Sequence, residues 1–181
     1  LMLESTAVSN QGRITLKDLT LINKENEFSL KKLILYLKSI SDIKIGLQIS
    51  HSGRKGSAQI PWIKSNTSLK KKSGGWKTCA PSAISRDKSW PKPDALNQKK
   101  IKTIINDFVN STKRSKRLDI DCLEIHMAHG YLLHEFFSPI SNLRKDKYGG
   151  SLENRCRLLI EVSKSIRKIW PKNRILGARA N

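Results

Sequence analysis

The chain has 181 residues, enough for one domain with a real core, since domains commonly run to ~100–200 residues. A formal net charge of +20 raises nucleic acid or an anionic surface as partners. Three widely spaced cysteines, Cys79, Cys122 and Cys156, offer neither a disulfide framework nor a zinc ribbon and fit a reducing cytoplasm, and these residues contain no positively charged n-region followed by an apolar h-region and no apolar run near the ~20 residues of a membrane span.

The opening "LMLESTAV" reads as the inside of a strand, with Leu1 and Leu3 on one face and Met2 and Glu4 on the other. Phe28, Leu30, Leu33, Ile34, Leu37 and Ile40 recur at helical spacing. "KIGLQIS", from Lys44, then alternates as a strand, with Ile45, Leu47 and Ile49 opposite Gly46 and Gln48. Residues 53–97 are rich in Ser, Lys, Gly and Pro, yet they hold Trp62, Trp76 and Trp90. Indoles are rare in disordered filler, so an ordered insertion with a small core of its own is expected. Ile101, Ile104, Ile105, Phe108 and Val109 mark a second helix. In "DIDCLEIH", Leu123 and Ile125 oppose Cys122, Glu124 and His126. After a loop, Ser151 suits an N-cap and Glu153 the positive end of a helix carrying Leu158, Leu159, Val162, Ile166 and Ile169. Arg174 to Arg179 is the last strand, with Leu176 and Ala178 opposite Ile175, Gly177 and Arg179.

Strands alternating with helices are the order of parallel βαβ units. Each strand has one apolar face for covering helices and a second face ending in a polar residue: Glu4, Gln48, His126, Arg179. That pattern suits a barrel whose site lies at the carboxyl ends of its strands. The alternative, an open doubly wound sheet, usually reads as continuous apolar runs. The fold class is therefore α/β, a partial (β/α)8 TIM barrel in one domain over residues 1–181, because a whole barrel takes ~250 residues.

The crowding of Glu124, His126, His129 and Tyr131 where a strand ends is the main chemical signal. "CLEIHMAHGYLLHEFFSPISNLRKDKYGGSLENRCRLLIEV", from Cys122 to Val162, closely resembles the signature segment of the Old Yellow Enzyme family of FMN-dependent NAD(P)H oxidoreductases. "ESTAVSNQGRIT", "LQISHSGRKGS" and "GWKTCAPSAI" resemble three further family segments, in the right order, of the branch of bacterial xenobiotic reductases and NADPH dehydrogenases. The resemblance covers the family barrel from the end of its second strand through its fifth. It leaves out the first strand and the last three, whose loops hold the FMN phosphate.

The resemblance implies a role for each matching residue. Gln48 hydrogen-bonds the pyrimidine edge of the flavin, where an amide can donate and accept together. Arg179 lies near flavin N1 and O2 and stabilises the anionic reduced cofactor. Ser5 stands against the flavin where this branch usually has alanine, and its hydroxyl needs a partner. His126 and His129 aim two N–H donors at the oxygen of an electron-poor alkene or nitro substrate, and Tyr131 protonates the α-carbon. Arg144, Asp146, Tyr148, Asn154 and Arg155 knit the following loop, Gly149-Gly150 permits a turn, and Arg54 orders a loop. NAD(P)H is the co-substrate, and a homo-oligomer is in keeping with the family for the longer protein. The isolated chain, with raw sheet edges and without the usual phosphate site, is expected to hold FMN poorly and to be inactive.

Two rival readings stand beside this one. His51, His126 and His129, with Glu124 or Glu4, could bind zinc, although His-x-x-His alone is weak evidence. The positive charge could mark a nucleic-acid-binding module. It is spread from Lys17 to Lys172, however, with local runs only at Lys70-Lys71-Lys72 and Lys113–Arg117, and no recognised binding motif accompanies it.

Overall fold

The alternating stretches become a sheet of four parallel strands in a computed structural model that describes residues 1–181. The strands are β1 (Met2–Ala7), β2 (Gly46–Ser50), β5 (Cys122–Met127) and β6 (Ile175–Ala180), side by side in the order β1-β2-β5-β6. Helices α1 (Lys24–Ile40), α3 (Gln98–Arg117) and α5 (Leu152–Arg167) are the crossovers between them. Each of these helices starts on a side-chain cap: Asn23, Asn97 and Ser151 accept the N–H of Asn26, Lys100 and Asn154. Such a cap contributes ~1 kcal/mol.

One face of the sheet is the floor of the core. Leu47, Ile49, Leu123 and Ile125 are buried against Leu30 and Ile34 of α1, Ile101, Ile104 and Phe108 of α3, and Leu158, Val162 and Ile166 of α5. Full burial stabilises each such side chain by ~1.5–3 kcal/mol. The α1 stripe is only half covered, because Phe28, Leu33 and Ile40 stay exposed on the helix beside the edge strand. The opposite face carries Gln48, Glu124, His126 and Arg179. Gln48 lies beside Glu124, Glu124 beside Gly177, and His126 beside Arg179.

Strand β1 departs from simple alternation. Leu3 pairs with Leu47 but Ser5 pairs with Gln48, so Glu4 is a bulged extra residue. The polar face of β1 is therefore presented beside Gln48 by Ser5 and not by Glu4.

Residues 53–97 form a 3-10 turn (Gly53–Lys55), a short helix α2 (Pro61–Lys64), a second 3-10 turn (Lys71–Ser73) and a small parallel ladder of β3 (Cys79–Ala80) with β4 (Asp94–Ala95). Cys79 and Leu96 join the main core, Leu69 and Trp90 are buried outside it, and Trp62 is 80% exposed. Arg144 ties this segment to the loop after β5. It forks onto Asp146 and donates to the carbonyls of Pro81 and Leu96. That loop also contains a helix the periodicity does not reveal, α4 (Leu132–Phe137). Asn142 donates to the Phe136 and Tyr148 carbonyls, Tyr148 to Glu161, and Arg155 to the Phe137 carbonyl. No helix is long and apolar enough to cross a membrane.

Candidate active site

Strand β5 delivers His126 to the polar face, and the turn after it folds back over that residue. His129 and Gly130 both take left-handed backbone conformations, at φ 58° and 67°. Glycine does so freely, whereas a side-chain-bearing residue needs support. Support comes from Lys55, whose Nζ donates to the His129 carbonyl at 2.5 Å, and from Asn181, whose Oδ1 accepts the His129 N–H at 2.9 Å. The reversal brings the Tyr131 ring to 4.6 Å from the His126 ring and the His129 ring to 5.1 Å. Tyr131 caps α4, where its carbonyl accepts the Glu135 N–H, and Leu132 N–H reaches back to the carbonyl of His51.

The hydrogen bonds assign the tautomers. His126 Nδ1 accepts the N–H of Ala128 at 3.2 Å, so a neutral His126 carries its proton on Nε2. That Nε2 lies 3.2 Å from His129 Nδ1, which leaves His129 with its proton on Nε2, pointing outward. The two imidazoles are thus linked in series, where the sequence reading has two parallel donors aimed at one oxygen. His134 Nδ1 likewise accepts the Gly130 N–H at 2.8 Å.

Burial keeps His126, His51 and His134 neutral at pH 7. Burial, then the neighbouring His129 and Arg179, depress His126 to about 4. Burial alone takes His51 to about 4 as well, and His134 is lowered by burial and then by Lys55 and His129. Burial, then Asp18, raises the Tyr131 phenol, so it remains protonated and able to donate.

The expected site residues fall into two groups. His126, His129 and Tyr131 meet at the end of β5. Gln48 stands one strand over, with Nε2 donating to Glu124 Oε1 at 2.5 Å. Ser5 finds the partner its hydroxyl requires in Ser50 Oγ at 2.6 Å. Arg179 lies beside His126 in register but is exposed on the outer strand. The zinc set does not form. His51 is turned away, with Nδ1 accepting Gly53 N–H and Nε2 3.9 Å from Cys79 Sγ, and no three His, Cys, Asp or Glu side chains are grouped to hold a metal. Lys55, Asn181 and Glu135 were not singled out from the sequence. Only Glu135 offered a signal, as a lone acid inside the apolar run "YLLHEFF".

The chain is 46% identical to an NADH:flavin oxidoreductase of Gibberella zeae over 174 residues, covering 94% of this chain and 42% of that protein. It is 38% identical to an NADPH dehydrogenase of Clostridium acetobutylicum over 183 residues, covering all of this chain and 49% of that one. Among solved structures, morphinone reductase superposes with a TM-score of 0.84 at 25% identity, over 99% of this chain and 48% of its own. The chain therefore spans about half the length of the relatives it matches, and its fold is a partial (β/α)8 barrel. The model of the NADH:flavin oxidoreductase / NADH oxidase family matches residues 1–180, and with the histidine–tyrosine group at the end of β5 this makes the chain a member of that family, the Old Yellow Enzyme family.

Proposed function

We propose that the protein of which these residues form the sheet face is an FMN-dependent oxidoreductase that passes hydride from NAD(P)H to electron-poor alkenes or nitro compounds. The observation that carries this reading is the convergence of His126, His129 and Tyr131 beside the Gln48 strand, in a chain that matches a flavin oxidoreductase family from end to end.

The polar face fits a flat, partly anionic ring system. At Gly177, beside Glu124, an added Cβ would meet nothing within 4 Å, so the floor there is open. Gln48 uses one amide hydrogen on Glu124 and keeps its carbonyl oxygen and second hydrogen for the pyrimidine edge. Ser5 is small and already partnered, so it presents no unpaired hydroxyl to a bound ring. Arg179 supplies fixed positive charge in the row of His126. FMN, when bound, supplies the hydride chemistry.

The rest falls to the substrate clamp. The outward Nε2–H of His129 donates to the substrate oxygen. Swinging the His129 ring off His126 frees the second N–H for the same oxygen, where negative charge develops as the β-carbon is reduced. Tyr131, protonated at neutral pH, gives the α-carbon its proton. A cytoplasmic setting suits the three free thiols. The 181 residues alone hold FMN poorly and do not turn over, since two edge strands are each unpaired on one side.

Grafting residues 1–181 in place of the matching segment of the Clostridium acetobutylicum relative tests this. The chimera is expected to show a flavin absorbance band and NADPH oxidation with an α,β-unsaturated ketone. His126→Ala or His129→Ala should each lower kcat/KM about 100-fold. Tyr131→Phe should slow alkene reduction while leaving flavin reduction by NADPH unchanged. A folded chimera without flavin, or histidine variants with parental kcat/KM, would sink the proposal.

A further inference from the structure

Glu135 is 0% exposed, four residues beyond Tyr131 on α4. Its Oε1 accepts the backbone N–H of Arg54 at 2.9 Å, and its Oε2 has no partner. The carboxyl lies directly on Gly53, which sits at φ +60°, and a Cβ there would come 2.3 Å from Oε1. The turn and the acid are therefore shaped to each other.

No ion pair explains the acid. The Arg54 guanidinium points away, to the carbonyls of Ile84 and Ser85 at 3.3 Å each, and the Lys55 ammonium goes to His129. Burial pushes the carboxyl up to about 8, with the Arg54 amide, the Arg54 guanidinium and Lys55 opposing, so near pH 7 it is mostly an uncharged acid. Its contribution is one of placement.

Three bonds fasten the Gly53–Lys55 turn and His51, two residues ahead of it, to the segment holding the histidine pair: Leu132 N–H to the His51 carbonyl, Arg54 N–H to Glu135, and Lys55 Nζ to the His129 carbonyl. Lys55 crosses the face of Gly130 and stands 5.9 Å from the Tyr131 ring. We infer that Glu135 is a positioning residue: by holding the Arg54 amide it fixes the turn from which Lys55 grips His129 in its left-handed conformation and keeps the two imidazoles linked. A side-chain-bearing residue leaves that conformation readily unless its surroundings hold it. The relevance to substrate reduction rests on the function proposed above; the mechanical linkage does not.

The test needs no flavin. In the chain labelled with 15N, or in the chimera, the imidazole nitrogens of His126 and His129 report the linkage, and the Arg54 amide exchange rate reports the turn. Glu135→Gln keeps the acceptor oxygen and should leave both near parental values. Glu135→Ala should speed Arg54 exchange about tenfold and move the His129 nitrogens toward those of free imidazole. A folded Glu135→Ala variant with unchanged nitrogens would overturn the inference. If Glu135→Ala does not fold, Lys55→Met decides. It keeps the stem over Gly130 but removes the donor, so it should release His129 in the same way, and parental nitrogens there would overturn the inference. Loss of the linkage in Glu135→Gln would overturn it too. A chimera that fails to hold flavin while these shifts appear as expected would sink the proposed function and leave the linkage standing.

Discussion

Strands β2 and β6 belong to the same sheet and carry similarly short, apolar sequences, yet every residue of β2 is buried and none of β6 is. Ile49 is fully buried; Ile175 is 68% exposed. The difference is neighbours: β2 is paired on both sides, β6 on one. Burial here belongs to sheet position more than to residue type. The same divide runs through the site. His126, His129 and Tyr131 lie on the inner strand β5 and the turn after it, while Ser5 and Arg179 sit on the outer strands.

The largest effects should separate centre from edge directly. Leu123→Ala, in the fully buried centre, is expected to cost ~3–4 kcal/mol, against ~1 kcal/mol for the half-buried Leu176→Ala in β6. Urea denaturation measures both, and equal costs would erase the distinction. Glycines sharpen it next. Gly53→Ala forces an L side chain at φ +60° into the Glu135 carboxyl and should destabilise by ~2–3 kcal/mol, whereas Gly177→Ala meets open space and should stay within ~0.5 kcal/mol.

A smaller, pH-dependent effect belongs to the groups behind the central strands. The Glu135 pKa of about 8 exceeds its ordinary 4.5, so across that window the native state holds a proton the unfolded chain has lost. Stability should therefore fall as pH rises from 6.5 to 8, by at most ~1.4 kcal/mol per pH unit. His51 and His126, held at about 4 against an ordinary 6.5, act in the opposite sense, losing their contribution as pH falls through that range. Thermal unfolding of Glu135→Gln should show the limb above pH 6.5 flattened. A parental slope in that variant would assign it elsewhere.

Period-two alternation made the sheet and its faces readable, because helices cover one side only and the apolar residues of the central strands, Leu47, Ile49, Leu123 and Ile125, lie on it. Gln48 and His126 were placed on the polar face for that reason. What escaped depends on pairing between distant residues. The bulge at Glu4 is visible only once β1 is laid against β2. Six residues of α4 are too few to show a helical period. The exposed half of the α1 stripe reads as core because its sequence cannot reveal that it flanks an edge. The bond from Arg54 to Glu135 spans 81 residues, and the series linkage of His126 to His129 follows from a turn whose left-handed member, unlike Gly130, is not announced by its residue type.

Residues 53–97 lie inside the crossover from β2 to β5, whose Gln48 and Glu124 are 76 residues apart. Each doubling of such a loop adds only ~0.6 kcal/mol to the entropy of closing it, so at equilibrium the sheet scarcely notices the insertion. It is felt in time instead, because the whole loop must close before that pairing returns any stability. The middle of the sheet is then the last to be sewn: pulsed hydrogen exchange during refolding should find β1–β2 and β5–β6 protected before β2–β5.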